Sequence, residues 1–509
     1  MENTDKTTAW QLASLLHQHG IRHVVVSPGS RNTPIILALA RLGYFSLHYI
    51  VDERIAAFAA LGMSVALDQA TAIVCTSGSA VLNYAPAIAE AYYSRIPVIA
   101  ISADRPYYEI DQNRPQTIRQ AGVLDNIVRK SVDIRDGENE LYANRLINEA
   151  LTAAKSGIQG PVHINMQFAM PLKLEGNIDV VYSKVIQEIE PQTTETFDPS
   201  ISNGNSILFI GGIKPGKELN AIRECIGGLP ENIAVVAEAQ SNLSDLSTLT
   251  SAEFEANITQ IPEPDKIFIT GTALVSAKIS KWIDLANCTK IRIGADDMVL
   301  NYDCVKVQLS TFLKGIIETS CSSNSKYRES FRKYRNTIAP SEVSRLVARL
   351  SGKDIMLHIS NGMSIREAQK TAISEPTTVW ANRGVSGIDG CTSTAIGSSM
   401  VVGRPVVLIS GDMCAAYDIA ALATEGISGD FTMIVVNNKG GDIFRKVATT
   451  RDLPERDTYF TAMPKFPLRQ LAEAYGFDYI STDDPDSIEI SRGKKPTIVE
   501  LNIKTNNPT

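Results

Sequence analysis

Short β-branched runs alternate with longer helix-patterned stretches along most of the chain, and this alternation restricts its fold more than any other feature. From Arg22 to about Met170 the runs are HVVVS, TAIVCTS, PVIAISA and PVHINM. Unbroken apolar runs separated by helical segments are the signature of βαβ units, whose parallel strands are covered on both faces. The pattern returns from about Asp354 as IMLHIS, TTVWANR, PVVLISGD, TMIVVNN and PTIVELN. The first and last thirds are therefore expected to be two domains of one architecture. Between them SILFIGG, AVVAEA, KIFITG and KIRIG mark a further α/β layer structure. The polar passage Ile189 to Ser206 reads as a linker, and a second boundary falls at Cys321 to Asn336. At 509 residues the chain exceeds one ordinary core, since domains hold about 100–200 residues. The expected fold class is α/β, three domains with mainly parallel, doubly wound sheets, spanning residues 1–185, 200–325 and 340–509.

Apolar content of 44% with 21% charged residues belongs to a compact globular chain, and the net charge of −7 provides no field for nucleic acid or an anionic membrane surface. Any anion must be held by local basic residues. The uncharged run Ala56 to Leu67 falls short of the roughly 20 residues of a membrane helix and reads as a buried helix. The N-terminal MENTDKTTAWQLASLLHQHG lacks the basic start and cleavage site of a signal peptide and reads as a capped amphipathic helix. A cytoplasmic enzyme is expected. The seven cysteines show no C-x-x-C spacing, so neither disulfides nor structural zinc are expected. The charged stretch Lys326 to Arg335 reads as a solvated helix face. His48 and His358 fall inside strands, where a satisfied core histidine is the ordinary outcome.

The stretch GDMCAAYDIAALATEGISGDFTMIVVNNKGGDIF, Gly411 to Phe444, carries chemistry. One apolar strand ends at Gly411-Asp412 and the next at Asn437-Asn438. In an open parallel sheet ligands gather outside the carboxyl ends of the strands, where the following helix also presents unpaired N–H groups. Asp412 and Asn438 each offer a hard oxygen, and Gly440 suits a turn that aims a carbonyl at a cation. Magnesium takes near-octahedral oxygen coordination, so these three leave room for two phosphate oxygens and a water. The helix opening near Met413 would receive a diphosphate. Taken singly, each piece also fits a strand-to-helix turn with an Asp cap and an ordinary loop.

The spacing resembles the diphosphate-binding motif of thiamine diphosphate enzymes. That resemblance implies pyrimidine-binding, central and diphosphate-binding domains, with Mg²⁺ or Mn²⁺ held by Asp412, Asn438 and Gly440. It also implies a glutamate in the other α/β domain that meets the aminopyrimidine ring across a subunit interface. HYIVDERIAAFAALGMSVA supplies Glu53 at the first turn of an apolar helix. There it would be desolvated, its pKa raised, and so able to share a proton with a ring nitrogen. Without the family, Glu53 is a first-turn carboxylate favoured by the helix dipole.

VVVSPGSRNTP (Val24 to Pro34) and NRGVSGIDGCTSTAIG (Asn382 to Gly397), with ISADRP and IVVNNKGGDIF, are similar to segments of the 2-succinyl-5-enolpyruvyl-6-hydroxy-3-cyclohexene-1-carboxylate (SEPHCHC) synthase family of menaquinone biosynthesis. The resemblance covers both end domains. It implies decarboxylation of 2-oxoglutarate and 1,4-addition of the succinyl carbanion equivalent to isochorismate. It also implies cofactor contacts from Gly411, Asp412, Met413, Asn438 and Glu53, with Ile388 as the apolar prop of the cofactor and Ile443 and Phe444 beside it. Both substrates are dianions, which calls for arginine forks. Arg31, Arg105 and Arg383 lie in the matching segments and Arg366 in the same end domain as Arg383, with Ser30, Gln116 and Lys278 as further substrate contacts and Arg31 and Gln116 acting with Glu53 in catalysis. The chain departs from the family at Pro115, Gly362 and Ala277, where relatives commonly carry Asn, Ser and a basic residue. A site shared between chains makes a homodimer the minimum, and the family resemblance points to a homotetramer. The competing readings are another thiamine-dependent 2-oxo acid decarboxylase or acetohydroxyacid synthase, and a non-catalytic cofactor-binding protein. A dinucleotide-binding dehydrogenase is weaker, because FIGGIKPGKELN lacks G-x-G-x-x-G spacing.

Overall fold

The computed structural model describes residues 6–175, 181–186, 197–294, 301–319 and 325–503. Its strands form three six-stranded sheets in which every pairing is parallel. The first sheet comprises β1 (His23–Val26), β2 (Ser46–Tyr49), β3 (Thr71–Cys75), β4 (Val98–Asp104), β5 (Lys130–Ile134) and β6 (Val162–Gln167), in the order β2-β1-β3-β4-β6-β5. The second comprises β7 (Ser206–Ile210), β8 (Ile233–Ala237), β9 (Leu249–Thr250), β10 (Lys266–Thr270), β11 (Thr289–Ile293) and β12 (Asp303–Val305), in the order β12-β11-β10-β7-β8-β9. The third comprises β13 (Met356–Ile359), β14 (Thr378–Trp380), β15 (Val406–Gly411), β16 (Phe431–Asn437), β17 (Asp478–Thr482) and β18 (Thr497–Asn502), in the order β14-β13-β15-β16-β18-β17. Counted within each sheet, the first and third have the same strand order. The second has the order of a dinucleotide-binding sheet.

By its internal contacts the chain divides into two compact units. One holds the described residues up to 186 together with 384–402 and 418–428, and the other holds the rest. Part of each boundary region read from the sequence, 189–196 and 321–324, lies outside the described residues.

Period-two packing shows why these runs are strands. In β7, Leu208 and Ile210 enter one core with Val235 and Phe268, while Ile207 and Phe209 enter the opposite core with Val236 and Ile267. A sheet buried on both faces has no solvent side, so its central strands carry unbroken apolar runs.

The N-terminal helix differs from its expected form. It spans Thr7–Gln18, its cap residue Lys6 makes no side-chain cap bond, and Thr8 through Leu16 are all buried. Lys6 is buried too, with its ammonium 2.6 Å from Asp136. The helix is wrapped by the first unit rather than laid on its surface. The stretch after Ser325 forms a short 3-10 helix, Arg328–Tyr334. Most of its charges are solvated as expected, but Arg328 donates to the carbonyls of Ile233, Leu229 and Pro230.

Candidate functional site

In the first unit, the helix Glu53–Leu67 starts at Asp52, whose carboxylate accepts the N–H groups of Arg54 at 2.9 Å and Ile55 at 3.2 Å. With the cap provided by Asp52, Glu53 is left half-buried in the first turn. From Ile55 to Val65 every residue is buried. The helix Cys391–Ser399 of the same unit lies against it at backbone contact: a Cβ on Gly62 would stand 1.9 Å from the Thr394 carbonyl, and one on Gly397 2.0 Å from that of Ala59. Ser398 donates to the Gly62 carbonyl at 2.9 Å. The small residues of GCTSTAIG thus permit helix-to-helix approach, and Ile388 precedes that helix, half-buried.

Arg31 and Arg105 are neighbours. Arg31 is buried and donates to the Phe168 carbonyl at 2.7 Å. Burial first, and then the charge of Arg105, lower its pKa. Arg105 donates to Glu109 at 2.9 Å and to the Pro115 carbonyl at 2.9 Å, so the departure at Pro115 keeps a role through its backbone. Gln116 follows at φ +52, exposed, and Ser30 is also exposed. Asp104, at the end of β4, is pushed up to about 6 by burial, against the hydrogen bonds of Asn165 and the Arg105 N–H.

In the second unit, β15 runs into a six-residue helix, Asp412–Tyr417, and β16 ends at Asn437. Asp412 is buried. Its carboxylate accepts the N–H of Met413 at 2.7 Å and that of Gly440 at 2.9 Å. Burial raises its pKa, opposed by the N–H groups of Gly440, Met413, Asn438 and Lys439. Gly440 takes φ +123, and a Cβ there would stand 2.0 Å from the Thr461 carbonyl. Asn438 Oδ1 is buried without a hydrogen-bond partner among the described residues. A buried acceptor left unpaired costs desolvation with no return, so this oxygen fits a cation or donor brought in by a ligand. One carboxylate, one amide oxygen and one carbonyl form a hard donor set suited to Mg²⁺ or Mn²⁺. Ile443 and Phe444 open the short helix Ile443–Lys446, with the Phe444 ring 5.6 Å from that of Phe460.

Arg383 is buried in this unit and donates to Asn361 Oδ1 at 3.1 Å. Arg366 donates to the Gly362 carbonyl at 2.6 Å, and its pKa is lowered by desolvation and then by Arg383. Lys278 is 3.3 Å from Glu255. Glu238, just past β8, accepts Val275 N–H at 2.7 Å and the Gln240 amide at 2.6 Å. Burial pushes Glu238 up to about 7, with the Val275 N–H and the Arg383 charge opposing.

Both ends of the chain match models of thiamine pyrophosphate enzymes: residues 6–123 the N-terminal TPP binding domain, and residues 361–496 the C-terminal one. Over more than nine-tenths of its length the chain is similar to proteins named 2-succinyl-5-enolpyruvyl-6-hydroxy-3-cyclohexene-1-carboxylate synthase. That of Flavobacterium johnsoniae is 33% identical over 94% of this chain and 92% of its own. That of Flavobacterium psychrophilum is 33% identical over 96% and 94%, and that of Porphyromonas gingivalis 31% over 96% and 91%. The chain belongs to the SEPHCHC synthase family of thiamine diphosphate enzymes.

Among the buried carboxylates of this synthase-family chain that sequence reasoning missed are Glu90, Asp104, Glu238 and Asp418. Asp104 and Glu238 had a readable signal, an acid closing an apolar strand run. Glu90 and Asp418 had none, because their partners are remote in sequence. The histidines differ from the satisfied core residues expected. His358 is buried with Nε2 unpartnered among the described residues, and burial lowers its pKa to about 3. His48 is half-buried and shares a 3.0 Å hydrogen bond with His23. Among the described residues no helix is long and apolar enough to cross a membrane.

Proposed function

We propose that the chain catalyses the thiamine diphosphate-dependent decarboxylation of 2-oxoglutarate and 1,4-addition of the succinyl carbanion equivalent to isochorismate, giving SEPHCHC. The observation that carries this reading is the strand-end cradle of Asp412 and Gly440 with the unpartnered Asn438 oxygen. Bound there, thiamine diphosphate supplies a nucleophilic carbon and an electron sink for decarboxylation. Asp412, Asn438 and the Gly440 carbonyl hold Mg²⁺ or Mn²⁺, and the Gly411 to Met413 backbone faces the diphosphate. Glu53 holds a proton on the aminopyrimidine ring. Ile388, Ile443 and Phe444 shape the apolar wall. Arg31 and Arg105 with Ser30 and Gln116, and Lys278, Arg366 and Arg383, bind the substrate carboxylates. Such guanidinium groups bind planar anions in two-point fashion.

The same reading makes the chain a cytoplasmic homo-oligomer, a dimer at the least and a tetramer by family resemblance, with each sheet marking a domain. Product analysis tests it. With 2-oxoglutarate, isochorismate, thiamine diphosphate and Mg²⁺, the coupled adduct is expected. Turnover of pyruvate with no requirement for isochorismate would assign the chain to a different carboligase activity.

A further inference from the structure

Two buried carboxylates outside the residues assigned above grip the ends of one short segment of the first unit. Glu90, in the helix Ala85–Ser94, is 1% exposed. Its Oε1 accepts the Gly384 N–H at 2.7 Å and the Ser94 hydroxyl at 2.7 Å, and its Oε2 accepts the Val385 N–H at 2.8 Å. Gly384 is glycine for a reason: a Cβ would stand 2.6 Å from the Glu90 carbonyl. At the other end Asp418 is fully buried. It accepts the Ser393 N–H at 2.7 Å and the Ser393 hydroxyl at 2.9 Å.

The helix Cys391–Ser399 has Gly390 at its cap position, with no side chain to cap it. Asp418 fills that role from a distant part of the chain, accepting the third N–H as a capping side chain does. Arg54, the residue next to Glu53, has Nη2 at 3.6 Å from Asp418, and the like charge of Asp389 in the strap acts against that attraction. Between the two grips, Gly390 at φ +67 lies against the Phe58 ring, where a Cβ would stand 2.1 Å away. Ile388 lies between the two pins. Burying a carboxylate costs several kcal/mol unless its oxygens are satisfied. Each accepts backbone N–H from a single ten-residue strap, Glu90 from Gly384 and Val385 and Asp418 from Ser393, and hydroxyls of Ser94 and Ser393 complete their shells, which fixes that strap in place at both ends.

We infer that Glu90 and Asp418 are positioning residues for the reaction: they pin the strap Gly384 to Ser393 and so fix the Ile388 side chain, with Asp418 also tying the strap to the first turn of the Glu53 helix through Arg54. The inference rests on Ile388 being the side chain that props the cofactor. Neither carboxylate is a ligand of cofactor or substrate. Each acts through the backbone it holds.

The test uses the full-length protein with Glu90→Gln, Asp418→Asn, Ser393→Ala and Ile388→Ala. Three quantities are read: backbone amide hydrogen exchange without added cofactor, calorimetric affinity for thiamine diphosphate with Mg²⁺, and H/D exchange at the thiazolium carbon alongside kcat and KM. For Glu90→Gln and Asp418→Asn, amide exchange within 384–393 is expected to rise by roughly tenfold or more, since a charged acceptor is lost. Cofactor affinity should change by less than about threefold, while thiazolium exchange and kcat fall roughly tenfold at unchanged KM for 2-oxoglutarate. Faster amide exchange with thiazolium exchange and kcat intact would show purely structural pins and overturn the inference. Where either variant fails to fold, Ser393→Ala removes one hydroxyl donor and should give a smaller shift of the same sign; a folded Ser393→Ala with unchanged kcat and thiazolium exchange overturns it equally. Ile388→Ala separates the role of Ile388 from the pinning of the strap. If it lowers thiazolium exchange while Glu90→Gln does not, only the pinning inference falls; if it leaves exchange unchanged, the role given to Ile388 falls with it.

Discussion

Replacing Gly440 by Ala isolates the cradle around Asp412. The residue sits at φ +123, where an L side chain is strained by about 1–3 kcal/mol. The new Cβ would start 2.0 Å from the Thr461 carbonyl oxygen and has to move to at least 3.0 Å. That displacement is large enough to break the 2.9 Å bond from the Gly440 N–H to Asp412. A hydrogen bond to a charged group contributes about 1.5–3 kcal/mol, which corresponds to roughly 10- to 150-fold in affinity. The expected outcome is therefore a loss of that size in Mg²⁺-dependent thiamine diphosphate binding, read by calorimetry, together with a lowered Tm from the strain. Gly476→Ala is the control. It takes φ +79 with nothing within 4 Å of the added Cβ, so it should cost only the backbone term, about 1–2 kcal/mol, and leave cofactor binding unchanged. A folded Gly440→Ala protein that binds the cofactor as tightly as the parent would refute the placement of the cation at Asp412.

Glu53→Gln should abolish H/D exchange at the thiazolium carbon while changing cofactor affinity by no more than about threefold; unchanged exchange, followed by NMR after acid quench, removes Glu53 from the mechanism. Glu238 gives a pH signature. Burial raises it from 4.5 to about 7, so between those values the folded protein holds a proton the unfolded chain has lost. Stability should fall as pH rises through that window and level off above it, by an amount of order 3 kcal/mol. Urea unfolding of wild type and Glu238→Gln at pH 5 and pH 7.5 measures the difference, and parallel pH dependences would contradict it. Gly62→Ala places a Cβ 1.9 Å from the Thr394 carbonyl and should lower stability by about 1–3 kcal/mol, as overpacking does, with an unchanged Tm as the negative result.

The strands that were illegible in the sequence share one position. β5, β9, β12 and β17 are these, and each is an outermost strand of its sheet; the outermost β2 was legible only as the strand around His48. An edge strand is covered less completely than a central one, so it needs no continuous apolar run. β17 shows this: DYIST has no buried residue at all. Central strands such as β3, β4 and β15 are buried almost throughout, and the apolar run that buries them is what made them readable. The edge β14 was legible because Val379 and Trp380 are buried. Apart from β2, which has no buried residue, legibility followed burial, and burial followed sheet position.

The candidate site was legible where its groups lie at strand ends and opaque where they are brought in by long connections. Glu90 accepts from residues 294 and 295 positions away, and nothing in AIAEAYY marks it as more than one acid of a helix. Asp412 and Asn438 were readable because β15 and β16 announce their own ends. The matching strand orders of the first and third sheets sharpen this. β15 and β16 occupy the places that β3 and β4 hold in the first sheet. In one sheet those ends carry Cys75 and Asp104, the latter beside Arg105 and near Arg31. In the other they carry Asp412 and Asn438. The same scaffold offers a strand end flanked by arginines in one case and one that carries hard oxygens in the other. The difference lies in the few residues just past each strand, where substitution leaves the buried core untouched.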